Sequence, residues 1–133
     1  MKKFLFSLAA LCVLLTSCQN SKPPVVIDGC YHITLMVPES TSADDAIYIA
    51  GPLTGGEAYS LGNPQWKFTR NGNTCALTLD PLYFIGGNTL ADGFWFVSEK
   101  QGRELAADGS EVTRTLNAEP GKNYQYVVAS WSK

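Results

Sequence analysis

A two-sheet all-β sandwich of seven to eight short antiparallel strands is the fold this sequence predicts. Apolar residues alternate with period two in several short runs, and the runs are separated by Gly, Pro, Asn and Asp. No stretch sustains a 3.6-residue apolar period, so little or no helix is expected.

Tyr31 to Val37 alternates, with Tyr31, Ile33, Leu35 and Val37 on one face and His32, Thr34 and Met36 on the other, and Pro38 ends it. Ala46 to Ala50 forms a second strand, with Ile47 and Ile49 on one face and Tyr48 on the other, closed by Gly51-Pro52. Asn71-Gly72, the pair favoured in two-residue type I′ turns, predicts a hairpin in which Arg70 faces Asn73, Phe68 faces Cys75 and Trp66 faces Leu77. That register gathers Trp66, Phe68, Cys75, Leu77 and Leu79 on one buried face. Gly93 to Ser98, Arg103 to Leu105, Val112 to Leu116 and Tyr124 to Trp131 complete the strands, with a turn at Asp108-Gly109.

The chain has 133 residues, enough for one ordinary domain. A charged fraction of 17% beside an apolar fraction of 45% belongs to a folded domain and excludes a disordered tail. Ten basic against twelve acidic side chains leave a net charge of -2, which excludes an electrostatic nucleic-acid binder that must neutralise several phosphates.

Met1-Lys2-Lys3 and the apolar run Phe4 to Leu15 read as the n- and h-regions of a secretion signal, the run being too short to span a bilayer as a helix. Leu15-Thr16-Ser17-Cys18 then resembles the lipobox of bacterial lipoproteins. The resemblance implies cleavage before Cys18, thioether lipidation of Cys18, and a mature chain held in a membrane by acyl chains. Residues 1–17 are then the signal peptide, 18–27 the lipidated cysteine and a polar, Pro-containing tether, and 28–133 the sandwich domain. Cys12 leaves with the signal, and loss of Lys2 and Lys3 leaves eight basic against twelve acidic residues, a charge of -4. Gln19 stands where Asp would favour retention in the inner membrane, which implies the outer membrane and leaves the leaflet open.

A wider likeness runs through Ile47-Tyr48-Ile49-Ala50-Gly51, Gly62-Asn63-Pro64-Gln65-Trp66-Lys67-Phe68-Thr69, Gly93-Phe94-Trp95-Phe96, Gly102-Arg103-Glu104, Asp108-Gly109-Ser110-Glu111, Arg114 and Trp131. This succession is similar to the starch-binding-module type of immunoglobulin-like domain found in polysaccharide-utilisation lipoproteins of gut bacteria. The resemblance implies an immunoglobulin-like sandwich and a non-catalytic accessory module that binds a glycan. Two positions depart from the family pattern. The loop Pro52-Leu53-Thr54-Gly55-Gly56 lacks the sugar-stacking Trp, and Trp95 replaces a sugar-contacting Lys.

His32 is the only histidine and has no Ser or Cys partner near it in sequence, and the carboxylates are spread over turns and strand ends, so the chain reads as no enzyme. One histidine and two thiols beyond the lipidated one are too few for a zinc site, Asp108-Gly109-Ser110-Glu111 is a turn rather than a calcium loop, and no cofactor motif is present. Glu104 and Arg114 are placed to form a cross-strand ion pair of modest worth. Beyond the inner membrane, Cys30 and Cys75 could form a disulfide around 44 intervening residues, worth roughly 3–4 kcal/mol in the chain-entropy picture. Against it, Cys30 shares the His32 face while Cys75 shares that of Leu77 and Leu79, so bonded and unbonded states both stay open.

The aromatics carry the binding signal. Trp95 and Tyr48 fall on faces opposite the core residues, and Tyr59 and Tyr83 fall in loops; all four are candidate ligand contacts, because flat side chains with a polar tip suit a sugar ring or a protein surface. The competing expectation is that the segment 80–92 folds back and buries Tyr83, Phe84 and Ile85 against Trp95. The partners that follow are a membrane through the acyl chains and a glycan or, alternatively, a partner lipoprotein or outer-membrane receptor served by a protein-interaction or structural subunit.

Overall fold

The computed structural model describes Gly29–Lys133; the signal segment, Cys12, Cys18 and the tether lie outside the described residues. Among the described residues eight strands form two sheets: β1 (Tyr31–Met36), β2 (Ile47–Ala50), β3 (Thr69–Asn71), β4 (Thr74–Leu79), β5 (Trp95–Ser98), β6 (Gly102–Leu105), β7 (Asn123–Val127) and β8 (Ser130–Trp131). The first sheet is ordered β3-β4-β1-β7 and the second β2-β5-β6-β8. All pairs are antiparallel except β1 with β7, which run parallel with His32 beside Asn123 and Met36 beside Val127. The expected wholly antiparallel pairing fails there because the chain enters β7 at the end where β1 begins. Gly121 N–H donates to the Cys30 carbonyl at 2.7 Å, and His32 N–H to that of Lys122 at 3.0 Å.

The core lies between the sheets. β4 buries Cys75, Leu77 and Leu79 and exposes Thr74, Ala76 and Thr78, as a period of two requires. Against them pack Ile33 and Leu35 from β1 and Ile47, Ile49, Phe94 and Phe96 from the other sheet's side. Phe68 meets Phe96 edge-on at 5.6 Å and Phe94 meets Tyr126 edge-on at 5.8 Å, contacts worth about 0.5–1.5 kcal/mol each beyond the area they bury.

The hairpin keeps its predicted faces but not its predicted register. Asn71 pairs with Thr74 and Arg70 with Cys75, so the loop is Gly72-Asn73, one residue further on. Because each partner shifts by two, the inward residues stay inward. Arg70 holds this register: Nε and Nη2 donate to Gly72 O at 3.2 and 2.8 Å, and Nη1 reaches Ser42 O at 2.7 Å and Asp45 O at 3.0 Å. Trp66 is core yet lies outside the ladder, in a 3-10 turn (Pro64–Trp66) started by the Asn63 side chain, which accepts from Gln65 N–H. Phe68 N–H donates to Ile47 O at 2.8 Å, which bends this segment toward the second sheet.

The last predicted strand divides. Asn123–Val127 stays beside β1, while Ser130–Trp131 pairs with β6 in the other sheet, so the C-terminal segment joins the two layers. Val112 to Leu116 forms no strand; Arg114 makes a single bridge to Phe94, and Glu111 just before the segment a single bridge to Leu105. Helix, among the described residues, is confined to one turn, α1 (Glu57–Ser60), and five 3-10 turns, three of which open on proline at positions 52, 64 and 81.

Candidate functional site

The outer face of the second sheet, where Trp95 and Tyr48 point, is covered by the chain itself. Tyr48 is 3% exposed and donates through its hydroxyl to Glu99 Oε1 at 3.4 Å; every residue of β2 is buried. The expectation of an outward, ligand-facing Tyr48 is therefore corrected: α1 packs on β2, and Lys67 pairs with Tyr48 along the free edge of that strand, so Tyr48 is enclosed. Burial, with Glu99 nearby, pushes the Tyr48 phenol above its usual value. Trp95 is half-buried. Its indole N–H donates to Glu57 Oε2 at 3.1 Å, and the Arg103 guanidinium lies 3.9 Å over its ring. Arg103 is itself held, with Nη2 donating to Val112 O at 2.9 Å and Thr113 Oγ1 at 2.7 Å. A ring capped by an anchored cation offers no stacking platform on that side.

The loop aromatics take a different position. Tyr59 is 72% exposed and Tyr83 60%, with Leu82 at 86% and Ile85 at 49%. Phe84 folds back, but onto Tyr31 and Trp66, with ring centroids 6.1 and 6.3 Å away, and not onto Trp95. Loop 51–62 meets loop 80–92 where Pro52–Thr54 packs on Ile85–Gly87 and Asn88 Nδ2 donates to Pro52 O at 3.3 Å.

Among the described residues, no segment covers the first sheet's outer face. His32, Thr34 and Met36 from β1 lie between Thr78, Ala76 and Thr74 of β4 and Asn123, Gln125 and Val127 of β7. Cross-strand bonds order the row: His32 Nδ1 and Thr78 Oγ1 are 3.2 Å apart, and Thr34 Oγ1 donates to Asn123 Oδ1 at 3.1 Å. Two shallow depressions of about 560 and 510 Å³ meet at Thr34, the second rimmed by Tyr126 and Arg114. These side chains were absent from the aromatic-based reading. The alternation His32-Thr34-Met36 against Thr74-Ala76-Thr78 was the available signal, since it marks a polar face without showing which of two polar faces stays open.

Glu104 and Arg114 form more than a surface pair. Glu104 is fully buried, accepting from Arg114 Nε at 3.1 Å, from Nη2 at 2.8 Å and from Phe96 N–H at 2.9 Å. Asp45 is also buried and accepts from Ser98 Oγ and from Lys100 N–H at 3.1 Å. Both carboxylates are spent on structure, and among the described residues no group of three metal-ligating side chains converges. Cys75 stands opposite Leu35, five residues along the β1 register from Cys30, or roughly 16 Å of strand, beyond disulfide reach. The possible Cys30–Cys75 bond is thus absent, and the buried Cys75 thiol is pushed up by desolvation.

No protein family, curated protein or solved structure matches the chain. No helix among the described residues is long and apolar enough to cross a membrane.

Proposed function

We propose that the chain is a non-catalytic, lipid-anchored domain of the outer membrane, immunoglobulin-like in type, that binds a neutral glycan as an accessory module through the uncovered face of the β1 sheet. The observation that supports this reading is the row His32, Thr34, Thr78, Asn123 and Gln125, uncharged donors and acceptors spread over a shallow face that no other segment among the described residues covers. Asn and Gln each bring two donors and an acceptor oxygen, and only part of that capacity is used within the row. Met36, Ala76 and Val127 between them give small apolar contacts of the kind that the C–H faces of a pyranose fill. A polyhydroxylated neutral ligand satisfies both sets at once.

The test is titration calorimetry of the mature chain against starch, other glucans and host-type glycans. Asn123→Ala and Gln125→Ala should each weaken binding by about tenfold, about 1.4 kcal/mol, while changing stability by no more than ~0.5 kcal/mol, since both are exposed. Affinity should hold from low to high salt, because a neutral sugar releases no counterions. A flat response across the panel from folded protein would withdraw the reading.

A further inference from the structure

We infer that the tip of loop 80–92, with Leu82, Tyr83 and Ile85, seats in the surface of the phospholipid bilayer to which the chain is tethered. The inference rests on the lipoprotein reading of Cys18 and adds a second, non-covalent membrane contact to it.

Single exposed apolar side chains need no explanation, but here three fall within four residues. Tyr59, the most exposed aromatic among the described residues, lies on the adjoining loop. The tip is built rather than loose. Asp80 accepts from Leu82 N–H at 3.0 Å, Pro81 opens the turn, and Phe84 plugs back onto Tyr31 and Trp66, so that Leu82, Tyr83 and Ile85 are presented outward. A preorganised tip loses little entropy on docking.

Its place on the molecule selects the occupant. Tyr31 pairs with Leu79, so the residues that lead into β1 and the loop that leaves β4 lie at the same end of the sheet. Ten residues, Gln19 to Asp28, separate Cys18 from Gly29 and can span at most about 36 Å. Acyl chains on Cys18 attach the domain to the bilayer through this end, and a tethered contact here forms at high effective concentration even when it is weak by itself. The segment 80–92 contains no Lys or Arg, and Asp80 and Asp92 are turned to backbone amides as caps, so the contact is apolar and aromatic rather than electrostatic. In this orientation β1 runs away from the membrane and its open polar face stands clear of the lipid.

The experiment uses the full chain, matured and acylated in its host, purified in detergent and reconstituted into vesicles of phosphatidylethanolamine and phosphatidylglycerol, with or without brominated acyl chains. Leu82→Trp should lose most of its added emission in brominated vesicles, at low and high salt alike. Glu39→Trp, at the far end of β1, should keep its emission. Mass spectrometry of the N-terminal peptide reads lipidation independently. An acylated Leu82→Trp chain whose added emission is unquenched overturns the docking and leaves the lipoprotein reading standing. If that chain cross-links through the tip to a second copy or to a protein of the envelope, the tip belongs to that partner. Equal quenching at positions 82 and 39 also overturns it, since the domain would then have no fixed membrane-facing end. An unacylated chain overturns both readings.

Discussion

Glu104 shows how far a residue's worth depends on where folding places it. With its carboxylate fully buried and held by three N–H donors, the pair with Arg114 belongs to the interior, where losing one partner strands a charge away from water. Arg114→Ala should destabilise by about 3–5 kcal/mol in chemical denaturation, whereas the double change Glu104→Leu with Arg114→Met should cost clearly less, because no uncompensated charge remains. Trp66 and Trp95 separate in the same way. Trp66, 2% exposed, should cost about 3–5 kcal/mol on truncation to Ala, and the half-buried Trp95 roughly 2 kcal/mol through its lost packing and Glu57 bond. Tyr48 gives a pH signature. Its folded pKa is raised, chiefly by desolvation, so its contribution is present below about pH 10, the unfolded value, and is lost as pH rises through the folded value. Tyr48→Phe should therefore flatten the alkaline fall of stability measured between pH 9 and 12, whatever it does at pH 7; an unchanged alkaline slope would contradict the assignment.

At the scale of elements, two glycines test the turns. Gly72 opens the hairpin loop at φ 64° with nothing within 4 Å of an added Cβ, so Gly72→Ala should cost only the left-handed backbone preference, about 1–2 kcal/mol. Gly51 closes β2 where an added Cβ would lie 2.5 Å from the Gly93 carbonyl oxygen, backbone that cannot step aside. Gly51→Ala should thus lower stability by about 3 kcal/mol or more, and thermal melts of the two variants give the ordering. The strands themselves were legible because period two is local: β1, β4 and β5 lie where alternation put them. The hairpin register was not, because Arg70 reaches Ser42 and Asp45, residues remote in sequence, and that tie moves the turn by one position. The break after Val127 was illegible for a similar reason, since the strand-like run from Tyr124 to Trp131 does not say which sheet its second half joins.

For the molecule as a whole, the two sheets are held together by packing, by Trp131 reaching Thr41 Oγ1 at 2.8 Å, and by chain crossings, without a covalent bond between Cys30 and Cys75. Reductant should accordingly leave the melting temperature unchanged, while a loss equivalent to the roughly 3–4 kcal/mol of a bridged loop would show that the cysteines had paired. Cys75, buried and with its thiol held in the protonated form, should react with alkylating reagents only as the fold opens. What the sequence determined by itself was local: the positions of most strands, the inward faces of β1, β2 and the hairpin, and an all-β sandwich. Which polar face would stay open was decided only in three dimensions. Tyr48 and Trp95 have the alternation of solvent-facing residues, yet α1 packs on β2 beside the buried Tyr48 while Glu57 and Arg103 hold Trp95, whereas among the described residues no other segment crosses the row from His32 to Gln125. Alternation records only that two faces differ, and which of them meets water depends on where a distant loop comes to rest.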